Sequence, residues 1–161
     1  MKKIINLSLY LILIILFAQC TGYKPIFGSK NINLKIANHT LKGDNFLANN
    51  IYNNLKRLSS AEKDGQDIRK IDIFIDASRN KKALVKDSTG KIKEYKISVS
   101  VNIKITDYFT DKLILEKTFL ESTSYKVESN YSDTVATEER SVQNLLNNIN
   151  QELLIGISEN I

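Results

Sequence analysis

The chain has very little of the chemistry that most enzymes use. Cys20 is its only cysteine and His39 its only histidine, so it can form no intramolecular disulfide and no zinc site with two or more histidines. His39 falls in a polar stretch, which predicts a solvated loop residue rather than a catalytic base. The sequence also has no Gly-x-Ser-x-Gly motif and no phosphate-binding glycine loop. We therefore expect a protein that is not an enzyme and that needs no metal or cofactor.

Residues that interrupt regular structure are also scarce. The 161 residues include one proline, six glycines and no tryptophan, and they contain no internal repeat, which favours a single regular domain with few linkers. Removing residues 1–19 from the 161 leaves 142, and loss of Lys2 and Lys3 lowers the formal net charge from +5 to +3. A charge this small gives no reason to expect nucleic acid as a partner.

Only one long apolar run is present, and it stands near the N-terminus. Lys2 and Lys3 precede the uncharged residues 4–17, and Ala18-Gln19-Cys20 follows them. This order of basic, apolar and small or polar segments is typical of a secretory signal peptide, here residues 1–19. The run is shorter than the roughly 20 residues that span a bilayer as a helix. We therefore favour a cleaved signal over the alternative of a permanent membrane anchor.

The cysteine after this run carries a resemblance to bacterial lipoproteins. Leu16-Phe17-Ala18-Gln19-Cys20 resembles a lipobox, with Phe17 in place of the commonest leucine and Gln19 in place of the usual small residue. The resemblance implies cleavage before Cys20 and attachment of acyl chains such as palmitate, and two or more chains make a stable anchor. Thr21 rather than aspartate follows, which resembles the sorting pattern of lipoproteins that reach the outer membrane and face the periplasm.

Periodicity in the rest of the chain predicts an α+β fold in the order strand, helix, three strands, helix. Two amphipathic helices would pack on one face of a mainly antiparallel four-stranded sheet, in a single domain at 32–158 after a lead-in at 20–31. Because a helix separates the first two strands, a parallel pairing is plausible. The predicted elements are a strand from residue 32 to 36, a helix capped by Asp44 or Asn45 that ends near Ser59, strands at 71–85, 95–105 and 113–127, and a helix capped by Ser132 or Asp133 that ends near Ile157.

The third strand and the last helix have the clearest patterns. Every second residue of the strand is apolar, at Tyr95, Ile97, Val99, Val101, Ile103 and Ile105. The helix carries an apolar stripe at Val135, Val142, Leu145, Leu146, Ile149, Leu153 and Ile157. With lengths of about 33 Å and about 35 Å, the helix can cover the strand from end to end. Both faces of the fourth strand carry apolar residues, so either could face the core.

Several motifs together resemble a known family. The lipobox cysteine is followed by Gly22-Tyr23-Lys24-Pro25-Ile26-Phe27-Gly28, and later motifs are Glu94-Tyr95, Asp107 with its turn, Ser124-Tyr125, Tyr131-Ser132 and Val135-Ala136-Thr137-Glu138-Glu139. In this order they resemble the lipopolysaccharide-assembly lipoproteins (LptE, formerly RlpB) in the form common in alphaproteobacteria. The resemblance covers residues 20–158, and the family fold of two helices on a four-stranded sheet agrees with the periodicity.

The resemblance implies a non-catalytic function in the outer membrane. A protein of this family partners a large β-barrel (LptD), binds lipopolysaccharide and is held in the membrane by the acyl chains on its cysteine. The alternative is a periplasmic scaffolding or binding lipoprotein, such as an activator of cell-wall synthesis or a transport accessory. That alternative needs only the anchor and an α/β domain.

A cluster of basic residues is the candidate ligand site. It comprises Arg79, Lys81, Lys82, Lys86, Lys91, Lys93 and Lys96. Cationic side chains bind phosphate through charge-assisted hydrogen bonds, and lipid A carries phosphates, so we assign lipopolysaccharide binding to Lys82, Lys86, Lys91 and Lys93. The alternative is a solvated hairpin whose lysines protect a sheet edge from pairing with another chain.

Overall fold

A computed structural model describes residues 34–59 and 68–160, with the backbone alone at Leu58. The signal peptide, the lead-in and Cys20 therefore lie outside the described residues. Six elements follow one another along the chain: β1 (Leu34–Gly43), α1 (Asn45–Ser59), β2 (Arg69–Lys86), β3 (Ile92–Asp107), β4 (Leu113–Lys126) and α2 (Tyr131–Asn160). The predicted order of elements and the predicted α+β class are confirmed.

The sheet has the strand order β1-β2-β3-β4. β1 runs parallel to β2, from Leu34 opposite Arg69 to Gly43 opposite Ala77. β2, β3 and β4 then form an antiparallel meander joined by two short turns. The sheet is therefore mainly antiparallel, and its one parallel pair is the pair that α1 connects, as the sequence suggests.

One face of the sheet forms the core with both helices. Ile97, Val99, Val101, Ile103 and Ile105 of β3 are fully buried, as the alternation predicts. From the helices, the core receives Leu47, Ala48, Ile51 and Leu55 of α1 and Val142, Leu145, Leu146, Ile149, Leu153 and Ile157 of α2. The opposite face of the sheet carries the alternate, polar residues and no helix among the described elements covers it.

The register of β4 shows which of its two apolar faces is buried. Leu115, Phe119 and Tyr125 are buried and lie opposite Ile105, Val101 and Tyr95 of β3, of which Tyr95 is only partly buried. Lys117 shares their face but is exposed, and Leu120 on the other face is 71% exposed. The pairing shifts by one residue near the start of β4, and Ile114 is buried as well.

The first strand is longer than the sequence predicts. β1 continues to Gly43, so the placement of His39 in a polar loop is wrong: His39 lies within the strand and its ring stacks on Tyr52 of α1 at 4.2 Å. An irregularity in the register between Ile36 and Asn38 breaks the alternation of polar and apolar residues. Because of that break, the sequence pattern does not predict the second half of the strand.

The two helices begin differently. Asp44 caps α1 as predicted, because its Oδ1 accepts the N–H groups of Phe46 at 3.0 Å and Leu47 at 3.3 Å. The predicted cap of α2 at Ser132 or Asp133 is wrong, since the helix begins at Tyr131. There the Thr134 hydroxyl accepts the Glu128 N–H and donates to the Asn130 carbonyl.

Gly43, the last residue of β1, allows a direct test of this packing. Its φ is +78°, and a Cβ built on it would lie 2.0 Å from the Ala77 carbonyl oxygen, whereas Gly90 has φ +84° with open space around it. We expect Gly90→Ala to lower the free energy of unfolding by about 1–2 kcal/mol, the cost of the left-handed backbone alone. Gly43→Ala should lower the free energy of unfolding by clearly more than Gly90→Ala does, because the Ala77 backbone must also move.

Urea denaturation of both variants measures the difference. Equal losses for Gly43→Ala and Gly90→Ala would contradict the close approach of Gly43 to β2.

Candidate functional site

The candidate site is a basic arm formed by residues 78–96 of β2, β3 and their turn. β1 stops pairing with β2 at Ala77, so the outer edge of β2 has no partner strand among the described residues beyond that point. On the other side, β4 pairs with β3 only as far as Glu94. The arm carries seven lysines and arginines and two carboxylates, so it is strongly basic.

On the helix side of the sheet, the positive charges of the arm are neutralised. Arg79 lies 3.2 Å from the Oδ2 of Asp44, the residue that caps α1. Lys81 donates a hydrogen bond from Nζ to Oε2 of Glu138 in α2. These two ion pairs join the base of the arm to the start of α1 and to α2.

Lys81 is the centre of a small polar cluster. Its Nζ lies 4.3 Å from the centroid of the Tyr95 ring and 5.6 Å from that of Tyr125, while the Tyr125 hydroxyl donates to Glu138 at 2.6 Å. One side chain from each of β2, β3, β4 and α2 therefore meets here. The cluster fixes the base of the arm to the body of the protein.

The ionisation of this cluster is consistent with an ion pair. Burial opposes the charge on both partners, but the hydrogen bonds from Lys81 and Tyr125 outweigh it and hold the pKa of Glu138 below its usual value. For Lys81, burial is likewise outweighed by the hydrogen bonds to Glu138 and Tyr125, which raise its pKa. Burial and the bond to Glu138 raise the pKa of the Tyr125 hydroxyl.

On the open side of the sheet, the charges of the arm are not neutralised. Lys82 lies directly opposite Lys96, and within the described residues neither has an ion-pair partner. Two like charges opposite each other on neighbouring strands repel, so this pair is unfavourable for stability. A bound anion would relieve that repulsion.

The turn at the tip of the arm holds the remaining predicted residues. Asp87 Oδ1 accepts the N–H groups of Thr89 and Lys91, each at 3.0 Å, and the Thr89 hydroxyl. That hydroxyl bond is the main reason why the pKa of Asp87 falls to about 2. Lys93 lies 3.4 Å from the same carboxylate, while Lys86 is exposed at the end of β2.

The structure thus places all four predicted binding residues on one arm, but in different surroundings. Lys86, Lys91 and Lys93 flank the turn, whereas Lys82 lies further along β2 opposite Lys96. Their assignment to lipopolysaccharide stays a prediction. Sequence reasoning missed two exposed apolar residues, Leu84 and Val85. The register between β2 and β3 shifts at these residues. In the sequence, the only sign of this shift is that the alternation of apolar and polar residues weakens after Ile75.

The open face of the sheet is mainly polar. Its central positions carry hydroxyl and amide side chains: Ser78, Asn80, Ser98, Ser100, Asn102, Thr118, Ser122 and Ser124. Leu120 is an exception, exposed opposite Ser100. A surface of short polar side chains suits a hydrated interface with a partner more than a lipid tail.

The described residues show neither a metal centre nor a membrane span. No group of three or more histidines, cysteines or carboxylates lies close enough to bind a metal ion within 34–59 and 68–160. In those same ranges, no helix is long and apolar enough to cross a bilayer.

Comparison with known proteins shows similarity in structure and not in sequence. No protein-family model and no curated protein matches this chain. Among solved structures, rare lipoprotein B from Shewanella oneidensis matches with a TM-score of 0.54 and 14% identity, over 76% of this chain and 94% of that one. The chain has the fold of rare lipoprotein B. That finding confirms, for the fold, the resemblance found in the sequence.

Two further lipoproteins share this fold. A minor lipoprotein from Acinetobacter baumannii matches with a TM-score of 0.56 and 15% identity, over 80% of this chain and 92% of that one. Lipoprotein B from Nitrosomonas europaea matches with a TM-score of 0.53 and 13% identity, over 76% of this chain and 83% of that one. The rare lipoprotein B fold is thus matched over most of each protein, while the sequences have diverged widely.

The Lys81 cluster gives a pH-dependent prediction. Glu138→Gln should lower the free energy of unfolding at pH 7 by no more than about 1 kcal/mol, since the pair is partly exposed. Because the folded pKa of Glu138 lies below its ordinary value of 4.5, this difference should be complete above pH 4.5 and should disappear as the pH falls through the folded pKa.

Glu139→Gln is the matched control, because it removes the same charge from the neighbouring, exposed position. Denaturation of the three proteins at pH 7 and pH 3 measures the effect. A loss at Glu138 that is the same at both pH values would contradict the ion pair with Lys81.

Proposed function

We propose that this protein is an outer-membrane lipoprotein that partners the large β-barrel LptD and helps to move lipopolysaccharide to the outer leaflet. It would be held in the membrane by acyl chains on Cys20, face the periplasm and catalyse no reaction. The observation that carries the proposal is a fold shared with three lipoproteins over at least 83% of their length. A lipobox-like sequence at the start of the chain supports it.

The distribution of charge on the arm supports lipopolysaccharide as the ligand. Arg79 and Lys81 are neutralised on the helix side, so the positive charge available to a ligand comes from Lys82 and Lys96 on the open face and from lysines near the turn. A lysine ammonium binds phosphate as a point charge, and lipid A offers more than one phosphate. The proposal therefore places the phosphates along the open side and tip of the arm.

The polar open face supports a protein partner. A four-stranded sheet with one uncovered face of serine, threonine and asparagine presents many hydrogen-bond donors and acceptors without a large apolar surface. Such a face fits against a hydrated wall better than against lipid chains. We propose that LptD contacts this face and leaves the arm free to meet lipopolysaccharide.

Lipidation of Cys20 is the first prediction from this function. A Cys20→Ala variant should lose its acyl groups and its membrane association, or remain uncleaved, because the thiol that carries the lipid is gone. Intact-mass spectrometry of the membrane-extracted protein checks this. An unmodified thiol on the mature wild-type protein would contradict lipidation.

Reversal of charge on the arm tests ligand binding. Changing Lys82, Lys86 and Lys91 together to glutamate should weaken lipopolysaccharide binding at low salt and reduce its dependence on ionic strength, because exposed charges act through a screened field. Stability should change by no more than about 0.5 kcal/mol for each site. Binding is measured by titration with purified lipopolysaccharide over a range of salt concentrations.

A matched triple variant makes this test specific. Changing Lys42, Lys104 and Lys112 to glutamate gives the same total charge at exposed positions outside the arm. Equal losses of binding in the two triple variants would show that net charge, and not the arm, attracts the ligand. Unchanged binding in the arm variant would assign its lysines to edge protection alone.

Co-purification tests the partner. The full chain, tagged at its C-terminus and extracted in mild detergent, should retain one large β-barrel in a one-to-one complex. Recovery of a cell-wall synthesis enzyme or a transport protein instead of a barrel would favour the alternative, a periplasmic scaffolding or binding lipoprotein.

A further inference from the structure

A second pair of lysines lies on the open face, at the end of the sheet opposite the tip of the arm. Lys35 of β1 is directly opposite Lys70 of β2. Their neighbours Leu34 and Ile71 are buried in the core, so both lysines point to the open face, where both are exposed. Like charges on neighbouring strands repel. The pair therefore lowers stability unless an anion lies between the two ammonium groups.

An irregularity in β1 opens a hollow beside these lysines. The register passes from Ile36 to Asn38 and leaves Ala37 as an extra residue without a partner in β2, which is a β-bulge. Bulges bend a strand, redirect its side chains and are common next to active sites. The hollow has a volume of about 230 Å³ and is lined by Lys35, Ile36, Ala37, Asn38, Lys70 and Tyr108.

No carboxylate within residues 34–59 and 68–160 forms an ion pair with either lysine. Asp72 Oδ1 accepts the backbone N–H and the side-chain amide of Asn38, each at 3.1 Å, and Asp72 lines a separate hollow together with Lys104. Asp107 Oδ2 accepts the Arg69 Nε–H at 2.8 Å. The acids on the adjoining strands are therefore engaged elsewhere, and the charge of the lysine pair is available to a ligand.

The Lys70 side chain is held in place by the neighbouring turn. Its Nζ lies 5.4 Å from the centroid of the Phe109 ring, and its carbonyl accepts the Tyr108 N–H at 3.0 Å. Asp107 Oδ1 fixes the turn by accepting the N–H groups of Phe109 and Thr110, each at 3.1 Å. A cation that is positioned before the ligand arrives loses less conformational entropy on binding.

The charge of the pair favours phosphate over carboxylate. A phosphate monoester carries a charge between about −1.5 and −2 at pH 7, so it can neutralise both ammonium groups, whereas a carboxylate neutralises only one. Lysine binds phosphate as a point charge, while the planar fork of arginine suits bidentate recognition of a carboxylate. Arg69, next to Lys70, is already bound to Asp107.

We propose that the hollow beside the β1 bulge binds a phosphate group between Lys35 and Lys70. The phosphate is either free or carried by lipopolysaccharide. Lys82 of the arm lies twelve residues beyond Lys70 on β2, about 40 Å away at the strand rise, so this hollow and the arm are separate sites. The inference goes beyond the proposed function and does not depend on it.

Titration with inorganic phosphate tests the hollow directly. The full chain, labelled with nitrogen-15 in a non-ionic detergent, is followed by NMR while chloride keeps the ionic strength constant. We expect saturable shifts at the amides of Ala37 and Tyr108. Changing Lys35 and Lys70 together to glutamine should weaken this binding at least about tenfold, because two charge-assisted hydrogen bonds are lost.

Changing Lys42 and Lys104 together to glutamine is the matched control, because it removes the same charge from exposed positions outside the hollow. Thermal unfolding is a second measurement. Phosphate should raise the melting temperature of the parent and of the control, since it binds the folded state, and leave that of the Lys35 and Lys70 variant unchanged. Equal loss of phosphate binding in the two double variants, or equal shifts with acetate, would contradict a specific phosphate site.

Lipopolysaccharide with and without its phosphate groups identifies the source. Shifts at Ala37 and Tyr108 that disappear when those phosphates are removed would assign the hollow to lipopolysaccharide. Shifts with inorganic phosphate and none with lipopolysaccharide would assign it to free phosphate. The absence of saturable shifts with both ligands would overturn this inference and leave the proposed function standing, since the arm and the barrel are tested separately.

Discussion

The buried row of β3 is the constraint on which the rest of the structure depends. Five consecutive inward side chains, from Ile97 to Ile105, are fully buried, and β3 pairs along most of its length with β2 on one side and β4 on the other. A slip of one residue would turn the whole row to water. The register of β3 therefore fixes which face the helices cover and which face stays open, and the two faces have separate functions in our proposal.

The division into two faces also determines which cations are available to a ligand. Arg79 and Lys81 point to the helix side, where Asp44 and Glu138 meet them, while Lys82 and Lys96 point away and face each other. Charges that are only one residue apart in sequence thus have opposite surroundings. Arg79 and Lys81 thus attach the arm to the helices, while Lys82 and Lys96 remain available to a ligand on the open face.

The sequence predicts the parts of this fold that repeat. The alternation of β3 and the helical stripe of α2 persist over many residues, so their buried faces can be assigned without a structure. Periodicity cannot reveal single local features. Two examples are the register shift near Ile36, beyond which β1 continues through His39, and the start of α2 at Tyr131. For the candidate site, periodicity places seven basic residues in one hairpin, yet it cannot show that Asp44 and Glu138, distant in sequence, neutralise two of them.

The parallel pairing of β1 with β2 has a consequence for the order of folding. Partners in that pair are 34 or 35 positions apart in sequence, whereas β2, β3 and β4 are joined by short turns and can form locally. Because a chain is synthesised from its N-terminus, β1 and α1 emerge before the strands that receive them. Until β2 and β3 arrive, the apolar stripe of Leu47, Ile51 and Leu55 has no sheet to pack on. In that interval the first helix exposes its apolar stripe to water and is prone to aggregate.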